Sequence, residues 1–297
     1  MKSALVVGGS GYLGRRLLHT LGGRGVGTYA GSAFSGGIGF RAESSRLADI
    51  EDVLPTDLRH VFFLYGAINP ELCAREPAAT RKINVDSNVA LMSECFARGL
   101  VPVFMSTDYV YDGTKGDRTE DEVRSPTTEY GRQKSEVEAW LETRSEPWLI
   151  CRSSKIVSGD RNIHSVLGQW LEDMEAGRTM RCAVDQIITP GHVDDIAAVM
   201  VALADLGSTG IYHVAGPTSL SRYDLAALLV DALARADGPI AAKLERAHLG
   251  DFPFLEARPL DTSLSTRKLQ AAPVSPLRSM AQVCGEIALA ESRRGSI

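Results

Sequence analysis

The chain has 297 residues and 32.0 kDa, enough for one large domain or two unequal ones, and its 44% apolar content can bury a sizeable core. A net charge of -5 and a pI near 5.7 exclude a generally basic surface for nucleic acid or anionic membrane, while leaving room for local positive charge. Five scattered cysteines without a C-x-x-C pair give neither a disulfide framework nor a zinc site, and no metal is expected. Met1-Lys2 runs straight into the first strand, no apolar run approaches the ~20 residues of a membrane span, and a reducing cytoplasm is the expected compartment.

In chain order, the apolar run Ala4-Leu-Val-Val7 leads into Gly8-Gly-Ser-Gly11-Tyr-Leu-Gly14, and Leu17, Leu18 and Leu21 then recur at helical spacing. Strand, glycine loop and helix in that order bring backbone N–H groups and the positive end of a helix to a pyrophosphate. Gly8, Ser10, Gly11, Tyr12, Leu13 and Gly14 are therefore candidate dinucleotide contacts. A second strand is predicted over Gly25–Ala30, and its end is where an acid would hold the ribose hydroxyls of NAD. Here stand Ala30, Gly31 and Ser32, with no carboxylate until Glu43 and with Arg15, Arg16 and Arg41 in the neighbourhood. NADP is thus expected in preference to NAD, with Ser32 near its ribose.

His60–Leu64 reads as a strand, followed by a Tyr65-Gly66-Ala67 loop, and Ile83-Asn84-Val85 opens an amphipathic helix. Val101-Pro-Val-Phe-Met105 reads as a buried strand that delivers Thr107 to its carboxyl end, where open α/β sheets bind ligands and where a hydroxyl can hold a carbonyl oxygen. Ser125-Pro-Thr-Thr128 signals a helix entry near Tyr130, which places Lys134 four residues on over the same face. A cation beside the phenol favours phenolate and suits reversible proton transfer to a carbonyl. The acidic, turn-rich stretch 112–125 reads as a surface loop. Trp148–Ser153 is the next strand, with Arg152 to Lys155 approaching a nicotinamide. Helices are predicted over Asn162–Gly177, from Val193, from a Ser221/Asp224 capping box, and over Ser275–Glu291, and His192 reads as structural.

Gly8, Gly11 and Gly14, the set Thr107, Tyr130 and Lys134, and the phrase Ser106-Thr-Asp-Tyr-Val-Tyr-Asp-Gly113 together resemble the extended short-chain dehydrogenase/reductase superfamily, in its dTDP-4-dehydrorhamnose reductase (RmlD-like) branch. The resemblance implies an α/β fold, a doubly wound parallel Rossmann sheet with a smaller C-terminal α/β substrate domain. The dinucleotide domain would span 1–155 and 188–216, the substrate domain 156–187 and 217–297. It implies Thr107, Tyr130 and Lys134 as catalytic triad, Tyr65, Gly66 and Ala67 over the cofactor, and Thr107, Asp108, Tyr109, Gln186 and Arg258 toward the substrate. Asn84 matches the branch's helix asparagine, with a water relay to the lysine and a plain helix hydrogen bond both open. The implied reaction is NAD(P)H-dependent reduction of a keto group, on a 4-keto-6-deoxy nucleotide sugar. Departures around Leu64 to Pro77 leave a non-sugar ketone open, and a homodimer stands open as well. A non-catalytic regulatory subunit similar to the methionine adenosyltransferase β subunit, and a nucleotide-sugar epimerase, stand as alternatives. A dehydratase is disfavoured, because Tyr109 follows Asp108 where those enzymes carry Glu.

Overall fold

A computed structural model describes residues 3–161, 165–237 and 242–295. Its strands are β1 (Ser3–Val7), β2 (Gly25–Tyr29), β3 (Ile38–Gly39), β4 (Leu58–Phe63), β5 (Val101–Thr107), β6 (Leu149–Ser153), β7 (Ile156–Val157), β8 (Thr179–Ala183), β9 (Ile187–Ile188), β10 (Gly191–His192), β11 (Gly210–His213), β12 (Leu220–Ser221) and β13 (Lys243–Ala247). The α-helices are α1 (Tyr12–Leu21), α2 (Pro70–Arg75), α3 (Pro77–Arg81), α4 (Ser87–Ala97), α5 (Glu129–Glu142), α6 (Val166–Glu175), α7 (Val193–Asp205), α8 (Arg222–Asp237), α9 (Arg267–Gln270) and α10 (Met280–Ser292).

Seven strands form one parallel sheet in the order β11-β6-β5-β4-β1-β2-β3. Alternate side chains of β1 show why both faces are covered. Ala4 and Val6 pack on Leu13, Leu17 and the α7 residues Val193 to Met200, whereas Leu5 and Val7 pack on Leu91, Met92, Val137 and Leu141 of α4 and α5. A strand buried on both sides reads as a continuous apolar run, which is how β1 and β5 appear in the sequence. The order turns back between β1 and β4, so the loops after these strands flank the crevice where such sheets bind ligands. Val7 and Phe63, the ends of β1 and β4, are level with Phe104, and β5 and β6 run three residues further to the paired Thr107 and Ser153.

A second apolar cluster is assembled from separated segments: Leu167, Trp170 and Leu171 of α6, Leu225 and Leu229 of α8, and Val283 and Ile287 of α10. The paired strands β8–β13 and β9–β12 lie beside it. Several element ends differ from the sequence reading. The last helix starts at Met280 rather than Ser275, because Pro276 precedes a reciprocal Ser279–Gln282 capping box (Gln282 N to Ser279 Oγ 3.3 Å, Ser279 N to Gln282 Oε1 2.8 Å). The helix expected from Asn162 is seen as α6, and 162–164 lie outside the described residues. Ahead of α4, Lys82–Asp86 form a π turn that periodicity did not reveal. No helix among the described residues is long and apolar enough to cross a membrane.

Candidate active site

The glycine loop is closed on itself. Gly8 adopts φ 92° and its N–H donates to Thr28 Oγ1 at 3.2 Å, while Gly11 N–H donates to the Gly8 carbonyl at 3.0 Å. A side chain at Gly14 would put its Cβ 2.2 Å from the Gly8 oxygen, so only glycine lets α1 start this close to β1. The first intrahelical bond is Arg15 N to Gly11 O, which leaves the N–H groups of Tyr12, Leu13 and Gly14 unused by the helix. The Leu13 side chain is buried, and that of Tyr12 turns into the packing with its hydroxyl buried toward Ser158 and Ser165. Only their backbone faces the loop. Ser10 bonds through its backbone, N–H to Thr28 O at 3.3 Å and carbonyl to Arg15 Nε at 2.9 Å. Ser32 is exposed beyond β2. Arg16 pairs with Asp194 at 3.4 Å and Asp160 at 3.7 Å, which takes it away from the ribose side of the crevice.

On the other side of β1, Gly66 has φ 144° and Ala67 is clamped by Asn84, whose Oδ1 accepts from Ala67 N at 2.7 Å and whose Nδ2 donates to Ala67 O at 2.9 Å. Asn84 Nδ2 also reaches Gln133 Oε1 at 2.8 Å, so the π turn aims this side chain at the loop. Tyr65 points inward, its hydroxyl 2.9 Å from Ser87 Oγ, and burial raises its pKa.

Thr128 caps α5 by accepting from Gly131 N at 3.2 Å, and Tyr130 is the second helical residue. Burial raises the Tyr130 pKa, the Thr107 hydroxyl works against that, and the Asp108 charge adds to it. The phenol is thus held protonated. The Lys134 ammonium, one turn along the same face, donates to the Met105 carbonyl at 2.9 Å and lies 4.5 Å over the Phe104 ring. Burial pulls the Lys134 pKa down to about 8, opposed by Glu138 one turn further along α5.

Thr107 Oγ1 donates to Asp108 Oδ1 at 3.0 Å and accepts from Tyr109 N at 3.2 Å. Asp108 is fully enclosed, and its Oδ2 accepts from Ser154 Oγ at 2.8 Å and Thr262 Oγ1 at 2.7 Å. Burial raises its pKa in spite of these three hydroxyls. The Tyr109 ring meets Tyr130 edge-on, with centroids 6.1 Å apart.

Thr107, Asp108, Tyr109 and Tyr130 open onto a cavity of about 360 Å³ whose far wall carries Gln186, Arg181, Arg222, Phe252, Phe254 and Arg258. Arg258 pairs with Glu71 at 2.7 Å and stacks 4.4 Å over Phe254. Glu256 of the same strap sits on the start of α5, accepting from Glu129 N at 2.9 Å and Arg132 at 2.8 Å. Sequence reasoning brings Arg152 to Lys155 toward the nicotinamide and Asp251 to Thr262 toward the substrate, but it missed Arg181 and Arg222 as parts of this wall. These two come from separate segments, β8 and the start of α8, with no local pattern to announce them.

The chain matches the family described as RmlD substrate binding domain over residues 1–289. A probable low-salt glycan biosynthesis reductase of Haloferax volcanii is 26% identical over 90% of this chain and 91% of its own. A dTDP-4-dehydrorhamnose reductase of Aggregatibacter actinomycetemcomitans is 29% identical over 66% of this chain and 69% of its own. The methionine adenosyltransferase 2 subunit beta of Rattus norvegicus is 26% identical over 68% and 61%. Among solved structures, dTDP-4-dehydrorhamnose reductase from Bacillus anthracis in complex with NADP superposes with TM-score 0.83 at 16% identity, covering 97% of this chain and 99% of that one. MoeE5 in complex with UDP-glucuronic acid and NAD gives 0.80 at 18%, covering 99% of each. The chain belongs to the RmlD substrate binding domain family, within the extended short-chain dehydrogenase/reductases, a family of NAD(P)-dependent oxidoreductases.

Proposed function

We propose that the protein is an NADPH-dependent reductase of a keto group on a nucleotide sugar, with 4-keto-6-deoxy sugars the first class to test. The observation that carries this reading is a protonated, half-buried Tyr130 beside Thr107 on the wall of a cation-lined cavity. The cradle at Gly8 and Gly14, which any Cβ would fill, fits a dinucleotide pyrophosphate against the N–H groups of Tyr12, Leu13 and Gly14. Ser32, Tyr65, Gly66 and Ala67 would flank the rest of it, and NAD(P)H supplies hydride when bound.

In this reading Tyr130 donates its proton to the carbonyl oxygen as the alkoxide develops, and burial keeps that proton available at neutral pH. Thr107 orients the phenol, and its hydroxyl hydrogen can turn from Asp108 to the carbonyl oxygen. Lys134, anchored on the Met105 carbonyl, holds the nicotinamide ribose and supports the phenolate left behind. The second apolar unit with its strap, Asp251 to Thr262, is the proposed substrate domain, with Tyr109, Gln186 and Arg258 lining the sugar-nucleotide path. The test is NADPH oxidation over a panel of keto nucleotide sugars. Turnover that Tyr130→Phe abolishes supports the reading. No turnover on any ketone, with a biological activity untouched by Tyr130→Phe, replaces it with a cofactor-binding regulatory subunit.

A further inference from the structure

Four cations line the cavity, Lys155, Arg181, Arg222 and Arg258, against a single carboxylate, Asp108. Asp108 is already occupied by the hydroxyls of Thr107, Ser154 and Thr262, and Arg258 is paired with Glu71. Arg222 lies over the Trp170 ring at 5.6 Å, and burial lowers its pKa. Lys155 differs from these. Among the described residues its ammonium has neither a hydrogen bond nor an ion pair. It is exposed where it borders the cavity, with the guanidiniums of Arg222 and Arg258 near enough to repel its charge and Asp108 near enough to attract it. An ammonium without a partner, on a wall that carries three guanidiniums and a single carboxylate already occupied by hydroxyls, is placed to receive an anionic group of a ligand.

The position of Lys155 in the fold says which part of a ligand it meets. Arg181 belongs to β8 and Arg222 opens α8, both in the second packing unit. Lys155 instead follows β6 directly and is the neighbour of Ser154, which holds Asp108 and through it Thr107. Its backbone carbonyl is fixed by Gly191 N at 3.0 Å. A nucleotide sugar laid from the Tyr130 end toward α8 would bring its reacting ring to Lys155 and its diphosphate to the arginines.

We propose that Lys155 determines specificity by binding a carboxylate on the sugar ring, so that the preferred substrate is an acidic keto nucleotide sugar. This rests on the nucleotide-sugar reading above and narrows it, because a 4-keto-6-deoxy sugar offers only a methyl group where the acidic sugar carries charge.

The probes are UDP-glucuronic acid and UDP-glucose, which share base and diphosphate and differ by a carboxylate in place of a hydroxymethyl group. Their affinities for the NADP-loaded protein are measured by calorimetry. The expected result is tighter binding of UDP-glucuronic acid by roughly tenfold, about 1.4 kcal/mol, a preference that falls below about twofold in Lys155→Met and survives in Lys155→Arg. Circular dichroism and NADP binding of the variants check that they are folded. Equal affinities in the unmodified protein overturn the carboxylate assignment, as does a preference that Lys155→Met leaves unchanged. If Lys155→Met weakens both ligands by the same factor, Lys155 reads the diphosphate and the proposal falls while the nucleotide-sugar reading stands. If neither sugar nor UDP nor dTDP binds, both fall together.

Discussion

Substitutions at Asp108 separate the roles of charge and of hydrogen-bond acceptance in the site. The carboxylate accepts from three enclosed hydroxyls, Thr107, Ser154 and Thr262, which belong to β5, the turn after β6 and the closing segment. Hydrogen bonds to a charged acceptor contribute about 1.5–3 kcal/mol against about 0.5–1.5 for neutral ones, so neutralising the acceptor forfeits roughly 1 kcal/mol for each of three. The raised pKa of Asp108 shows that burial of its charge outweighs these bonds, and Asp108→Asn removes that cost as well. The two effects nearly cancel, so Asp108→Asn should change stability by no more than about 1 kcal/mol, a Tm shift of at most about 2–4 °C. Asp108→Ala gains the same relief but leaves three hydroxyls with no acceptor, at about 1 kcal/mol or more each, and should lose about 3 kcal/mol or roughly 6–12 °C. An acid whose folded pKa is raised favours the fold most when protonated, so any advantage of Asp108→Asn should shrink as pH falls from neutral toward 4. Turnover should behave differently, because an amide facing Thr107 can reverse its hydroxyl; a loss of about tenfold corresponds to one misdirected hydrogen bond, about 1.4 kcal/mol. Differential scanning fluorimetry and NADPH oxidation on the same preparations decide it. If Asp108→Ala melts with the unmodified protein, or Asp108→Asn turns over at full rate, the three-hydroxyl account of this site is wrong.

Tyr130→Phe should keep its fold and NADPH affinity and lose about 10²- to 10⁴-fold in turnover; residual turnover within tenfold would assign the proton to another group. Lys134 is charged below about 8 and neutral above it, so NADPH affinity should fall as pH rises through that value and lose this dependence in Lys134→Met, as followed by titration of cofactor fluorescence. NADPH should bind at least as tightly as NADH, because Ala30, Gly31 and Ser32 offer no carboxylate; a tenfold preference for NADH would mean that Glu43 reaches the ribose. His213 is held neutral by burial and by Arg152, its pKa down at about 4, so its neutral form costs nothing above about 6.5 and destabilises the fold progressively as pH falls from 6.5 toward 4. The full shift is worth about 3 kcal/mol, and His213→Asn should flatten the acid limb of the stability curve.

The parallel sheet was legible because β1, β5 and the inner stretches Val61–Phe63 and Leu149–Cys151 are buried on both faces and so appear as apolar runs between glycine and helix signals. Gly14 and the Tyr130/Lys134 spacing were legible for a similar reason, since each is imposed by local geometry over a few residues. What stayed hidden depends on contacts between distant segments. Nothing near Asp108 in the sequence announces that Thr262 and Ser154 will converge on it, and nothing near Arg222 announces that it lies across a cavity from Tyr109. The sequence reading starts the last helix at Ser275, and the Ser279 capping box sets its start at Met280 instead. The anchor of Lys134 also escaped, because a helical i, i+4 spacing places two side chains on one face without saying where the ammonium bonds, and here it bonds to the Met105 carbonyl.

Glu256 lies at the amino end of α5, accepting from Glu129 N and from Arg132. Tyr130 occupies the second position of the same helix, within the turn where the aligned peptide dipoles present about half a positive charge. A carboxylate seated there offsets that field, and it is itself paired with Arg132 at 2.8 Å. The strap that walls the cavity is therefore also a cap on the helix that carries Tyr130, so the seating of a surface segment and the entry of α5 share one carboxylate.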